Sequence, residues 1–369
     1  MFRFDKRLFE NFDMVFLLLV IAVSAISYAN LYSASFPLKG YGMHPYERQG
    51  YYFLISLCLW IPFLLIDYHK LQKVSYIVYV LTILSLAWVL FFGSTSGGSQ
   101  RWINFVVVRV QPSEFAKLFM IFTLASYYAR RETTEGYTLK MLLVPGVLTM
   151  VPFLLILAQP DLGTALMLIF IFVSMTFFVK CTWKVYALAA IGGPMAVAFA
   201  WTNVLHDYQK DRVLTFLDPA AHSSGQGYQI IQSIIAVGSG EKFGKGYLAG
   251  PQSHLSFVPE HHTDFAFAVL GEEWGFVGTF IFIALYFAML IRGLHVSMQA
   301  KDRFGTLLAF GIISLIFWQA VVNILMVLGQ CPVVGMPLPL FSYGGSSLIT
   351  TMMGIALILN VSMRRFTTP

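Results

Sequence analysis

Ten long apolar stretches dominate this chain and leave it few possible folds. They run over about 14–34, 50–66, 74–92, 115–129, 141–158, 161–179, 185–204, 265–291, 304–328 and 345–363. A helical crossing of a bilayer takes roughly 20 mostly apolar residues. No water reaches the backbone inside the hydrocarbon layer, so such stretches must be helices or strands of a closed barrel, and runs of this length read as helices. The fourth stretch is short and extends back to Pro112. The expected fold is an all-α polytopic membrane protein of about ten transmembrane helices, with residues 1–369 as one transmembrane domain.

Composition excludes the soluble alternative. Only 11% of the 369 residues are charged and 57% are hydrophobic, where a soluble domain carries roughly 25% charge. Aromatic residues reach 16%, as suits rings packed in lipid and at its interfaces. Arg3, Lys6 and Arg7 precede the first stretch like the start of a secretory signal, but the apolar run is too long and no clear cleavage site follows. Cys58, Cys181 and Cys331 lie far apart. Their spacing fits neither a metal site nor a disulfide framework, and they read as core packing.

Ten crossings put both termini on one side. With the N-terminus inside, most Lys and Arg fall on short inner connections, among them Lys73, Arg131, Lys184, Arg303 and Arg365. That bias obeys the positive-inside rule. It accounts for the net charge of +6 without a nucleic-acid partner. The outer side then carries two substantial loops, about 93–114 and about 205–263, the second between helices 7 and 8. A loop that long usually carries function. Within it, Tyr228–Val237 places Ile231, Ile234 and Ile235 on one helical face and Gln229, Gln232 and Ser233 toward another. Such a helix can lie on the membrane surface or plug the top of the bundle.

Charged groups in or beside crossings are costly and point to function. Glu114 and Lys117 share a helix face three residues apart. They form either a structural ion pair or a cation aimed at an anionic substrate group, with Arg101 and Arg109 nearby in sequence. Asp161, in Gln159-Pro-Asp-Leu-Gly-Thr164, sits where it caps a helix; contact with a substrate or metal is the lesser reading.

The run Gly238-Ser-Gly-Glu-Lys-Phe-Gly-Lys-Gly246 offers Lys242 and Lys245, but its spacing is not that of a phosphate loop and no strand precedes it. Glu260-His-His-Thr-Asp264 lacks the spacing that puts two zinc ligands on one helix face. Asp264 stands where the large loop re-enters the membrane. It is either a helix cap or a general base, its pKa raised by burial or lowered by the helix terminus. Glu272 and Glu273 lie below it as buried acids that need a basic partner, as structure or as support for the site. In Pro337-Leu-Pro-Leu-Phe-Ser-Tyr-Gly-Gly-Ser346, hydroxyls such as those of Ser342 and Tyr343 either bind a sugar or satisfy the loop's own backbone.

Four of these segments together resemble the SEDS family (shape, elongation, division and sporulation). They are Gln111-Pro-Ser-Glu-Phe-Ala-Lys117, Gln159-Pro-Asp-Leu-Gly-Thr164, the stretch from Gly244 to Phe265, and Pro337 to Ser346. The resemblance covers nearly the whole chain. The short N-terminus and Gly271-Glu-Glu-Trp-Gly-Phe276 resemble the elongation branch (RodA type) more than the division branch. The resemblance implies a peptidoglycan glycosyltransferase that polymerises lipid II on the outer face of the bacterial cytoplasmic membrane. It implies a class B penicillin-binding transpeptidase as partner, among other elongation-complex membrane proteins. It places the family's essential aspartate on Asp264.

The chemistry then expected is inverting transfer. Asp264 takes the proton of the acceptor GlcNAc 4-hydroxyl, and cations hold the leaving diphosphate. Lys117 and Arg101 are first candidates for those cations, and Lys242 and Lys245 second. Glu114, Glu260, His262, Ser342 and Tyr343 complete the expected substrate contacts, with Asp161, Glu272 and Glu273 as structural support. No cofactor is certain, with room for a Mg or Mn ion at the diphosphate. A lipid II flippase and a scaffold that only recruits the transpeptidase remain as rivals.

Overall fold

A computed structural model describes residues 11–36, 43–96, 99–104, 109–221, 225–254, 257 and 259–365. Arg3, Lys6 and Arg7 lie outside the described residues. Helices occupy all ten apolar stretches: α1 Met14–Ser35, α2 Pro45–Leu65, α3 Tyr68–Phe92, α4 Pro112–Arg130, α5 Leu139–Ala158, α6 Leu162–Phe178 and α7 Trp183–Asn203. Three shorter ones follow, α8 Asp207–Leu217, α9 Gln226–Ser239 and α10 Pro251–His254, then α11 Ala266–Met298, α12 Arg303–Val327 and α13 Gly345–Met363. Among the described residues, eight are long and apolar enough to cross a membrane. The remaining two of the ten are α6, which is apolar but has 17 residues, and α4, which is diluted by Glu114, Lys117 and Arg130.

The helix starts are written locally. Pro45 and Pro112 open α2 and α4, where a missing N–H costs nothing. Asp13, Asp67, Asp161 and Asp302 accept from the first-turn amides of α1, α3, α6 and α12 at 2.9–3.2 Å. Every residue of α13 from Ser346 to Met363 is buried. It is the central helix because glycine, serine and threonine let its neighbours approach, and its hydroxyls turn back on its own carbonyls. Near its far end, the Asn360 amide donates to the carbonyls of Phe63, Leu64 and Ile66 at 2.6–2.9 Å, which α2 leaves without intrahelical partners.

Three features depart from the sequence reading. The first large loop is partly a small antiparallel sheet, β1 Ser94–Ser96, β2 Ser99–Asn104 and β3 Arg109–Val110, in the order β1-β2-β3. In α9 the buried side is Gly227, Ile230, Ser233 and Ala236, with Ser233 Oγ donating to the Val327 carbonyl at 2.7 Å. Small residues allow that close approach, and Ile234 and Ile235 face outward. Cys58 is exposed on α2, so only Cys181 of the three is core.

The glycine-rich run has a packing role. α11 is broken at Gly275, whose φ of 61° and ψ of −164° are not helical. The 240–246 segment fills the break: Lys245 N and Gly246 N donate to the Glu272 and Glu273 carbonyls at 3.0 Å, and Phe276 N and Val277 N donate to the Glu241 and Lys242 carbonyls at 2.8 and 3.0 Å. A side-chain carbon at Gly244 would overlap the Glu273 carbonyl, and one at Gly275 would overlap Gly244 N. The glycines are there for backbone-to-backbone contact.

Candidate functional site

One end of the bundle gathers the start of α4, the α5–α6 turn, the segment from α8 to α10, the 259–265 turn and the loop entering α13. Asp264 is the centre. The turn before it is tight: Glu260 has a φ of 51°, and its carbonyl accepts from Thr263 N at 3.0 Å and Phe265 N at 3.3 Å. Phe265, not Asp264, holds the cap position of α11, and no side chain caps it. The capping alternative for Asp264 is therefore not the arrangement adopted. Instead its main chain is pinned. Asn323 Nδ2, on fully buried α12 surface, donates to the Asp264 carbonyl at 2.8 Å and the Met336 carbonyl at 2.6 Å.

The half-buried Asp264 carboxylate accepts no hydrogen bond from any described residue. Burial, and next the Glu260 carboxylate, push its pKa up to about 7, while Arg212 pulls the other way. Gly335 packs beside it: a side-chain carbon there would lie 3.5 Å from Oδ2.

Asp161 and Arg101 come to the same place. Asp161 Oδ1 caps α6 at Thr164 N (3.2 Å), Oδ2 accepts from Gln111 Nε2 at 3.0 Å, and Arg101 Nη1 stands 3.7 Å away. Arg101 is steered by two carbonyls of the α5–α6 turn: Nε donates to Gln159 O at 3.1 Å and Nη2 to Pro160 O. The sequence reading missed the second cation here. Arg212, on α8, donates from Nη1 to the Val333 carbonyl at 3.1 Å. It lies close enough to Asp264, Asp161 and Arg101 to exchange charge effects with all three, and burial with the Arg101 charge lowers its pKa from the usual guanidinium value. A cavity of about 440 Å³ adjoins the cluster, lined by Leu157, Ala158, Pro160, His206, Asp207 and Tyr208.

The other candidates sit differently. Lys117 is 1% exposed, and its ammonium is 2.7 Å from Glu114 Oε1. The ion pair is the arrangement adopted. Lys245 Nζ is 3.2 Å from Glu272 Oε1, which also accepts from Gln252 N at 2.9 Å. Glu273 accepts from Ser33 Oγ. Lys242 is exposed beside the α11 break. Ser342 Oγ accepts from Leu338 N at 3.0 Å, within its own loop.

His262 is half-buried, and burial followed by the neighbouring His261 lowers its pKa. Its carbonyl accepts from Tyr343 N at 2.9 Å, and the two rings lie 5.9 Å apart.

Chemically, the arrangement is a carboxylate poised to take a proton, the Arg212 guanidinium acting on it, the Arg101 guanidinium at the neighbouring Asp161, and an adjoining cleft. No three His, Cys, Asp or Glu groups assemble into a cation cage among the described residues.

A family model for the cell cycle proteins FtsW, RodA and SpoVE matches residues 10–366. The peptidoglycan glycosyltransferase MrdB of Escherichia coli (strain K12) is 38% identical over 355 residues, covering 96% of this chain and 94% of that protein. Among solved structures, a chain from a peptidoglycan synthase complex that coordinates polymerization and crosslinking gives a TM-score of 0.82 at 32% identity, covering 97% of this chain and 99% of that one. The crystal structure of the rod shape determining protein RodA of Thermus thermophilus gives 0.71 at 28% identity, covering 97% and 98%.

Proposed function

This chain belongs to the FtsW/RodA/SpoVE family of cell cycle proteins, and from that premise we propose that it is the peptidoglycan glycosyltransferase of cell elongation, with Asp264 as its general base. The observation that carries the assignment is a carboxylate without a hydrogen-bond partner among the described residues, fixed by its main chain and flanked by Arg212.

The substrate is lipid II, a disaccharide-pentapeptide on a lipid diphosphate. The GlcNAc 4-hydroxyl of one molecule attacks the anomeric carbon of MurNAc in another. An alcohol is a weak nucleophile at neutral pH, and a base with a pKa near 7 suits the task. Asp264 takes the hydroxyl proton as the new C–O bond forms. The bond to the diphosphate breaks, and its electron pair leaves with the phosphate oxygen. Attack opposite the leaving group turns an α-linked diphosphate into a β-1,4 link. Arg101 and Arg212 meet the charge developing on the diphosphate. A Mg or Mn ion belongs to this reading only as a companion of the diphosphate, since the described side chains offer it no cage.

The site faces outside the cytoplasmic membrane in this reading, supported by the excess of Lys and Arg on the opposite face. The partner is a class B transpeptidase, alongside other elongation-complex membrane proteins. That pairing draws on the likeness to a chain of a peptidoglycan synthase complex.

The test is purified protein, with and without the transpeptidase, incubated with labelled lipid II and sized on a gel. Long glycan strands from the wild type and none from a folded Asp264→Asn variant are expected. Lipid transfer between vesicles without polymer would support a flippase, and growth supported by the Asp264→Asn variant in cells would support a scaffold.

A further inference from the structure

A polymerase of this kind must hold two lipid diphosphates, and the site described accounts for one. The donor's diphosphate is bonded to the carbon under attack, so its cations must stand near the base, where Arg212 acts on Asp264 and Arg101 acts on Arg212. The acceptor's diphosphate is separated from the attacking hydroxyl by the length of a disaccharide. Its cations must stand clear of the base while remaining rigidly tied to it.

The loop entering α13 supplies such a place. Tyr343 is tied to the Asp264 turn through the His262 carbonyl at 2.9 Å. On one side the loop is stitched to α2: Gly344 N donates to Gln49 Oε1 at 3.3 Å and Gln49 Nε2 to the Ser342 carbonyl at 3.4 Å. That stitch sets Arg48, the residue before Gln49, on the Tyr343 side of the loop, where its charge acts on the Tyr343 hydroxyl. On the other side Ser346 Oγ donates to the Arg109 carbonyl at 3.3 Å and accepts from Gln111 N at 3.0 Å. Arg109 thereby stands near the same tyrosine.

Both arginines are exposed, and neither forms an ion pair with a described carboxylate. Arg212 is among the charges that act on Asp264, and these two are not. His262 Nδ1, in the same wall, is buried with no partner among the described residues.

We propose that Arg48, Arg109 and the Tyr343 hydroxyl form a second diphosphate site that holds the acceptor lipid, while Arg101 and Arg212 hold the donor's leaving group. The proposal rests on the glycosyltransferase reading. Two guanidiniums and a phenol match a diphosphate well, because each planar fork can bind two phosphate oxygens.

The probe is a fluorescent lipid II phosphonate, with a methylene in place of the anomeric phosphate oxygen, which binds but cannot donate its sugar. Wild-type protein in zwitterionic nanodiscs is expected to bind two equivalents. The Arg48→Gln/Arg109→Gln double variant is expected to bind one, with the second weakened at least ~10-fold by the lost charged contacts. Two equivalents at wild-type affinity in the double variant overturn the proposal. Displacement of the second equivalent by phosphatidylglycerol also overturns it, since the site then reads any anionic headgroup. Binding needs no turnover, so a protein that binds two equivalents yet makes no polymer loses the glycosyltransferase reading and keeps the site.

A coupling reaction assigns the roles. Lipid II lacking the GlcNAc 4-hydroxyl can only donate, and the phosphonate can only accept. The double variant is expected to raise KM for the phosphonate at least ~10-fold and leave the donor's KM unchanged. Tyr343→Phe, which removes one oxygen and tests the site without risk to the fold, is expected to give the same split at smaller size. A change confined to the donor's KM overturns the assignment.

Discussion

The Asn323 side-chain amide donates to the Asp264 carbonyl oxygen at 2.8 Å. One buried residue of α12 thereby fixes the main chain of the candidate base and, through the Met336 carbonyl at 2.6 Å, the loop that runs on to Tyr343. Replacing Asn323 by Leu leaves two carbonyls unpaired in a buried place, a cost of about 1–3 kcal/mol for each group. The expected result is a lower melting temperature and a fall in kcat much larger than any rise in KM, because the base is displaced rather than the binding groups. Equal changes in both would mean that Asn323 serves only the fold.

Arg212 bears on both halves of the mechanism. Arg212→Gln is expected to slow polymerisation about 10²–10³-fold, as for loss of one group that stabilises developing charge. It also removes the cation that holds the Asp264 pKa down. The pH at which activity is half-maximal should therefore move to higher values. A loss of rate with no alkaline shift would separate Arg212 from Asp264.

Lys245 and Glu272 test whether the glycine-rich segment binds substrate or only packs. Glu272 is fully buried and 3.2 Å from the ammonium. Lys245→Met strands that carboxylate, a change that costs about 3–5 kcal/mol at full burial and less here, where the lysine keeps some solvent. Adding Glu272→Gln is expected to restore the melting temperature and the polymerising activity together. Recovery of stability without activity would return Lys245 to the substrate.

Asp264 itself should weaken the fold at alkaline pH. Its folded pKa of about 7 lies above the unfolded carboxylate value. The ionised form is thus disfavoured by folding, a penalty absent below the unfolded pKa, growing as pH rises and complete above about 7. Asp264→Asn is expected to raise the melting temperature at pH 8, by up to about 4 kcal/mol of stability and less for a side chain with some solvent. At pH 4 the gain should vanish. An equal gain at both pH values would place its origin in packing.

Much of this was legible in the sequence because bilayer physics leaves few options. The span of α13 matches Gly345–Met363 to the residue, since glycines and prolines precede it and arginines follow. The break in α11 was not legible: Gly275 reads as an ordinary helix glycine until the 240–246 segment, far away in sequence, packs into it. Asp161 caps α6 as its place in the Gln159–Thr164 motif suggested, whereas its contact with Arg101 was not legible. Lys117 faces Glu114 because both occupy one helix face, as i and i+3 spacing dictates.

Two residues were overlooked. Arg212 lies in Asp207-Tyr-Gln-Lys-Asp-Arg212, which looks like a solvated charged helix, and only tertiary placement turns it inward. Asn323 did leave a signal, as an amide within an otherwise apolar stretch of α12, and such residues are rarely idle in a membrane.

The most direct test is the pH dependence of kcat/KM for glycan polymerisation from lipid II by the purified protein with its transpeptidase. A base that must be ionised, with a pKa of about 7, gives a rate that rises about tenfold per pH unit below that value and levels off above it. Asp264→Glu should keep a titrating limb at a different pH, and Asp264→Asn should leave no limb. A wild-type profile flat from pH 5.5 to 8.5 would contradict Asp264 as the base.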